Sequence, residues 1–193
     1  MTPLVLLRHG ESTANAGDVF AGHLDVPLTP AGVVEAHAAA TGLAGWRPDA
    51  VHSSPLARAA GTAAIAGSLL APGLPVEHYS ALVERHYGAL QGLRRDDARK
   101  RYGDEAVACW RRSPGGVPPG GESLLMLHER LSAYWHQVLE PLLASGSSVL
   151  VVAHGNTLRM LLAHVSGLEV SEAAAVEVPT ATPLRPEVRL PAW

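Results

Sequence analysis

Two segments near opposite ends of this 193-residue chain share one pattern: "PLVLLRHGEST" at 3–13 and "SVLVVAHGNTL" at 148–158. Each is a short run of aliphatic residues that stops at a His-Gly pair and then leads into a helix-forming stretch. An apolar run without polar alternation predicts a strand buried on both faces, the habit of parallel sheets covered by helices. Charged and polar side chains are costly at the end of such a strand unless they meet partners there. Arg8 and His9 therefore ask for a ligand, and a phosphate would satisfy both.

The rest of the chain supplies the remaining layers. "LTPAGVVEAHAAATGLAGW" predicts a helix with Thr29 as its N-cap and Pro30 at its first position. "DAVHSSP" (49–55) reads as a second short strand, and the alanine-rich stretch 56–71 as the helix after it. "LPVEHYSAL" is extended, and helices are expected over 94–102 and 104–112. The Pro/Gly-dense segment 112–123 reads as a loop, followed by one long amphipathic helix through "ESLLMLHERLSAYWHQVLEPLLASG". The closing "AAAVEVPTATPLRPEVRLPAW" suggests one or two edge strands interrupted by prolines. Strands alternating with helices give an α/β three-layer sandwich, a mostly parallel mixed sheet with helices on both faces. One domain spanning residues 1–193 fits this length, and 47% hydrophobic residues suffice for its core.

Ligands of open α/β sheets bind beyond the carboxyl ends of the strands. Three predicted strands end in polar residues: Arg8-His9-Gly10, Ser53-Ser54-Pro55 with Arg58 soon after, and His154-Gly155-Asn156. If they are parallel neighbours, two histidines, two arginines and two helix N-termini converge on one anion site.

Charge narrows the ligand. A net charge of −3 and a pI near 6.3 exclude a broad basic face for nucleic acid or anionic membrane. An anion site must come from local clustering of arginine, and Lys100 is the sole lysine. The single cysteine, Cys109, excludes an internal disulfide and a cysteine-based zinc site. It fits a reducing compartment, and with no signal peptide or membrane-length apolar run the expectation is a cytoplasmic protein. The ten histidines form no pattern at metal-ligand spacing, so no metal is expected; His37, His128, His136 and His164 read as surface or packing residues on helices.

The motifs "LLRHGEST" and "VVAHGNTLR" resemble the histidine phosphatase superfamily. Within it, "ALVERHYGALQGLRRDDARKRYGDEAVACWRRS" (81–113) and "PTATPL" are similar to the cofactor-dependent phosphoglycerate mutases; phosphatases of the superfamily usually carry a shorter motif around the acidic residue. The resemblance covers nearly the whole chain. It implies a phosphoglycerate mutase-like fold and interconversion of 3- and 2-phosphoglycerate, in glycolysis and gluconeogenesis, through a phosphohistidine. It implies His9 as nucleophile, Arg8 and Arg58 as phosphate clamps, His154 as transition-state stabiliser and Glu84 as the acid/base. Ser12, Asn15, Ala21, Gly22, Arg85, His86, Tyr87, Arg95, Arg111, Arg112, Gly155 and Asn156 fall at substrate-binding positions. The implied cofactor is 2,3-bisphosphoglycerate, and the implied partners are small phosphorylated sugar acids. The chemistry agrees: a neutral imidazole can accept a phosphoryl group, arginines spread its charge, and a carboxyl group moves the hydroxyl proton.

The chain departs from the mutase wording in several places. Ala21-Gly22-His23 stands where the mutases usually have Thr-Gly-Trp, and Arg95 where they have lysine. The stretch between Arg112 and Glu122 is shorter, which leaves the oligomeric state open, and "GGES" also occurs in the phosphatase branch. Ending soon after "PTATPLRPEVRL" predicts a shorter cover over the site and faster hydrolysis of phosphohistidine. A phosphatase of the same fold is the alternative activity, and a non-catalytic phosphometabolite-binding module a third; the latter is disfavoured because His9, Glu84 and His154 are all present.

Overall fold

The side chains of the aliphatic strands point alternately to two sides, and this divides the molecule into layers. In the computed structural model, which describes residues 3–190, five strands form one sheet. They are β1 (Leu4–Arg8), β2 (Ala50–Ser53), β3 (Val76–His78), β4 (Val149–Ala153) and β5 (Pro183–Leu184), in the order β3-β2-β4-β1-β5. The first four run parallel, and β5 pairs antiparallel on the edge. The helices are α1 (Thr13–Ala16), α2 (Pro30–Gly42), α3 (Ala57–Leu70), α4 (Arg95–Tyr102), α5 (Asp104–Arg112), α6 (Leu124–Tyr134), α7 (Glu140–Ala144), α8 (Gly155–Ser166) and α9 (Val170–Ala175).

Leu4, Leu6, Val149, Val151 and Ala153 pack on one side against Leu127 and Leu131 of α6 and Leu158 and Leu161 of α8. Val5, Leu7, Val51, Leu150 and Val152 pack on the other against Ala39 and Ala40 of α2 and Ala63, Ala66 and Leu70 of α3. Both faces of β1 and β4 are therefore core, and each fully buried leucine or valine contributes about 1.5–3 kcal/mol. A smaller core of Phe20, Leu90, Ala98 and Val107 seats α4 and α5 at one end of the sheet.

The α2 start follows its sequence signal, with Thr29 Oγ1 accepting from Gly32 N at 3.0 Å. The short α1 has no periodic signal; it exists because Ser12 and Asn15 cap each other reciprocally. The expected single helix after residue 122 is broken into α6, a π turn over Trp135–Leu139, and α7. Pro141 has no N–H for an i−4 carbonyl, and the widened turn places Glu140 N on Trp135 O instead. At the carboxyl end the expected edge strands shrink to Pro183–Leu184, opposite Leu6 and Leu7, while Ala173–Ala175 close α9. Pro179, Pro183 and Pro186 lack ladder donors, and Ala181 turns the chain at φ +45°. The expectation about a shortened cover ends on Trp193, which lies outside the described residues.

Candidate active site

Strand register brings the site together. Arg8 pairs with Ala153 across β1 and β4, and His9 N donates to Ala153 O at 3.0 Å, so His9 and His154 leave the sheet side by side. Ser53 pairs with Val152, and Ser54 N donates to Val152 O at 3.1 Å, which sets the β2 tip next to them. The repeated His-Gly wording is thus two neighbouring strand ends. Gly10 is required where the chain turns away: a Cβ there would fall on the Gly32 carbonyl, and one on Gly32 would fall on the Glu11 carbonyl. The α2 N-terminus presses directly on the loop that carries His9, and Gly10 N also donates to Thr62 Oγ1 of α3 at 3.1 Å.

His9 is 4% exposed, and its Nδ1 donates to Gly10 O at 2.7 Å, which leaves Nε2 as the free lone pair. Burial, with Arg58 next in weight, pulls its pKa down to about 3. His9 is therefore a neutral imidazole at physiological pH, the form that can attack phosphorus. His154 stands edge-on to it, ring centroids 5.0 Å apart, and is fully buried. Burial pushes its pKa well below the ordinary range, helped by His9 and by Arg58. Its Nε2 meets Ser54 Oγ at 2.8 Å, whereas Nδ1 is buried without a partner.

Arg8 and Arg58 are braced by main chain. Arg58, at the start of α3 and 1% exposed, donates to the carbonyls of Gly22 at 2.9 Å and Leu24 at 2.8 Å. Gly22 is held at φ +53°, and a Cβ there would fall on the Gln91 side chain, so this bracing loop needs glycine. Arg8 donates through Nη1 to Val178 O at 2.9 Å, while its Nε is buried and unpartnered. Arg8 Nε, His154 Nδ1 and, away from the cavity, Arg85 Nη1 are the buried side-chain polar atoms without a hydrogen-bond partner among the described residues. Burial lowers the pKa of both arginines, with Glu84 acting in the opposite direction.

Glu84 reaches in from the segment before α4. Its Oε1 accepts from Arg85 N at 2.8 Å, and its Oε2 lies 3.4 Å from Asn156 N in the first turn of α8. Helix N-termini favour a carboxylate, so α8 and its own backbone fix the position of Glu84. Asn156 Nδ2 donates to Tyr87 OH at 2.8 Å. Asn15 spends Oδ1 on Ser12, N at 3.0 Å and Oγ at 2.8 Å, so only its amide NH2 is left to meet a ligand.

These residues enclose two joined lobes. The inner one, about 80 Å³, is lined by Arg8, His9, Ser12, Asn15, Ala21, Gly22, Arg58, Glu84, Tyr87, Arg95 and Arg111 among others. The outer one, about 170 Å³, shares Arg8, Glu84, Tyr87, Arg95 and Arg111 and adds Arg112, Gly155, Asn156 and Arg159. Glu84 is the one carboxylate lining either lobe among the described residues, facing Arg8, Arg58, Arg95, Arg111, Arg112 and Arg159. Burial and the neighbouring Arg95 depress the Arg111 pKa, and Arg95 itself pairs with Asp18 at 3.1 Å.

Arg85 and His86 are placed elsewhere. Arg85 is fully buried and donates to Glu122 O and Gly116 O, both at 2.7 Å, tying down the 112–123 loop. The His86 ring accepts from Gly88 N at 3.0 Å and meets His23 edge-on at 4.6 Å, in a separate surface cavity with Glu122 and Arg130. Two residues near the site had no role assigned from the sequence: Ser54, expected only as part of a strand end and found against His154, and Arg159 in the outer lobe. Arg159 follows Asn156 by three residues on α8, and that helical spacing was the available signal.

Residues 4–185 match the family described as the histidine phosphatase superfamily, branch 1. The chain belongs to that superfamily. A 2,3-bisphosphoglycerate-dependent phosphoglycerate mutase of Cytophaga hutchinsonii is 40% identical over 95% of this chain and 86% of its own length. One of Thermobifida fusca is 41% identical with the same coverage of each chain. By these relatives the chain falls with the cofactor-dependent phosphoglycerate mutases of the superfamily. A mycobacterial glucosyl-3-phosphoglycerate phosphatase, solved with vanadate, superposes with a TM-score of 0.81 at 32% identity, covering 92% of this chain and 86% of that one. The α/β fold is thus one that a phosphatase shares. Among the described residues no group of three or more His, Cys, Asp or Glu is placed to hold a metal ion. No helix among them is long and apolar enough to cross a membrane.

Proposed function

We propose that this chain interconverts 3-phosphoglycerate and 2-phosphoglycerate in the cytoplasm, within glycolysis and gluconeogenesis, by way of a phosphohistidine at His9. One observation carries the reading: a neutral, buried histidine at the inner end of a cavity lined by six arginines and a single carboxylate. A sugar acid bearing two phosphates carries roughly four to five negative charges near neutral pH. The cavity's charge fits such a ligand, and the orphaned Arg8 Nε and His154 Nδ1 fit phosphoryl oxygens. When bound, 2,3-bisphosphoglycerate supplies the phosphoryl group that primes His9.

In each transfer, His9 Nε2 forms the N–P bond as the ester P–O bond breaks. The Gly10 carbonyl holds the Nδ1 proton and stabilises the cation that develops on the ring. Arg8 and Arg58 face the equatorial oxygens, with His154 beside them, so charge is stabilised by groups already in position. Protonated Glu84 gives its proton to the departing alkoxide. In the return step the Glu84 carboxylate takes the proton from the other hydroxyl as that oxygen attacks phosphorus and the N–P bond breaks. Tyr87, Asn156, Arg95, Arg111 and Arg112 hold the remainder of the substrate while it changes ends.

Incubation with 2,3-bisphosphoglycerate should add one phosphoryl group by intact mass, and His9→Ala should abolish the addition. Turnover of 3-phosphoglycerate is then compared with release of free phosphate. Flux to 2-phosphoglycerate far above phosphate release supports the mutase. The reverse ratio supports a phosphatase, in which water replaces the sugar-acid hydroxyl. That second reading is favoured by the likeness to the mycobacterial phosphatase and by Ala21, which offers a substrate no hydroxyl where the mutases usually have threonine.

A further inference from the structure

We propose that Arg159 is a further specificity-determining residue: it adds a guanidinium to the outer lobe, beside the Arg111 and Arg112 already placed there, and meets the second anionic group, carboxylate or phosphate, of a substrate whose transferring phosphoryl sits at His9. This rests on the reading that the cavity takes phosphorylated sugar acids.

Four observations converge on it. Arg159 lines the outer lobe together with Arg112, Asn156 and the shared Arg8. Its guanidinium is already fixed in plane, Nε donating to Val176 O at 2.8 Å and Nη1 lying 3.4 Å from Asn156 Oδ1. Those contacts occupy two of its five donors, so a rigid fork is left for a ligand. A Cβ on Gly155 would stand 3.4 Å from Arg159 Nη1 and 3.7 Å from Arg8 Nε, so both guanidiniums border one Cα. A ligand held by Arg8 through its phosphoryl therefore meets Arg159 next. Finally, among the described residues no carboxylate lies within ion-pair distance of Arg159 or Arg112, whereas Arg95 and Arg130 each have one and Arg99 has two. Neighbouring arginines without a counterion repel each other, and a bound anion relieves that repulsion. The spacing separates ligands by class: a simple monoester ends at Arg8, and only a substrate with a second anion reaches the outer pair.

The test is equilibrium binding by calorimetry to the His9→Ala protein, where turnover cannot intervene, using 2,3-bisphosphoglycerate and inorganic phosphate as probes. Adding Arg159→Gln should weaken bisphosphoglycerate by roughly tenfold or more, and phosphate by less than twofold. Arg159→Lys keeps the charge without the fork and should recover part of the bisphosphoglycerate affinity that glutamine loses. If Arg159 is only a strut to Val176, lysine fails as glutamine does and both probes weaken together, which overturns the proposal. Equal affinities for bisphosphoglycerate in all three proteins overturn it as well. If the Arg159 parent itself does not prefer bisphosphoglycerate to phosphate, the sugar-acid reading fails instead, and the two failures are distinct.

Discussion

Replacing Ser54 with alanine removes one oxygen from a fully buried position between Leu56 N and His154 Nε2, which have no other partner among the described residues. Ser54 Oγ accepts from Leu56 N at 3.3 Å and lies 2.8 Å from His154 Nε2. Its hydroxyl proton has the imidazole nitrogen as its one acceptor, so Nε2 is assigned as the lone-pair nitrogen and Nδ1 as the N–H. That N–H is the buried, unpartnered atom beside His9, Arg8 and Arg58. Ser54→Ala leaves a ring nitrogen unsatisfied at a cost of about 1–3 kcal/mol. In a chain of this size each kcal/mol lowers Tm by about 2–4 °C. The chemical cost should be about tenfold in the rate of His9 phosphorylation, less than the hundredfold or more that follows outright loss of a donor. Calorimetry gives the first quantity and rapid-quench mass spectrometry the second. Nitrogen NMR of ring-labelled protein reads the tautomer: Nδ1–H in the native chain, a mixture in the variant. A native His154 protonated on Nε2 would refute this account, as would a variant that melts early yet phosphorylates at the native rate.

Two further outcomes follow from geometry already described. His9 and His154 are buried neutral with lowered pKa values, so between 6.5 and about 3 the unfolded chain binds protons that the native His9 does not. Stability should fall as pH drops from 6.5, by up to about 1.4 kcal/mol per unit per histidine, and the His9 contribution should level off below about pH 3. Urea midpoints at pH 7, 6 and 5 check the slope, and identical midpoints would contradict it. Gly32→Ala, which drives a methyl onto the Glu11 carbonyl, should cost about 1–3 kcal/mol and slow His9 phosphorylation by shifting the loop that carries it. Denaturant unfolding and the mass-shift assay measure the two effects, and a variant indistinguishable from the parent in both would show that α2 does not press on that loop.

Much of the sheet could be read from the chain because continuous aliphatic runs have few other fates. Leu4–Leu7 and Val149–Ala153 are strands, and the helices over 94–102 and 104–112 were expected within a residue of α4 and α5. What escaped were features set by single residues or by tertiary contact. The α1 cap needs Ser12 and Asn15 to find each other, and the π turn follows from one proline in an otherwise ideal helix. At the site, the polar strand ends pointed to Arg8, His9, Arg58 and His154 and the resemblance to Glu84; the structure sets Arg8, His9, Arg58 and Glu84 around one cavity, with His154 buried behind them against the His9 ring. The directions of Arg85 and His86 could not be read, because adjacent residues on an irregular segment point wherever backbone carbonyls and loop glycines accept them. Ser54 was visible as a strand end, but its bond to His154 spans a hundred residues and has no local signature.

The order of the strands has a consequence for how this chain comes to exist. β4 lies between β1 and β2, yet it is translated long after both. Until residues 149–153 emerge, the first two strands have no hydrogen-bonding partner in each other, and the nascent chain holds a one-strand gap. Closing that gap joins the two helical layers and sets His154 against His9 in the same event. A ribosome-bound or truncated chain therefore has no partial version of the pocket to expose to phosphorylated metabolites. Competence arrives with the last parallel strand or not at all.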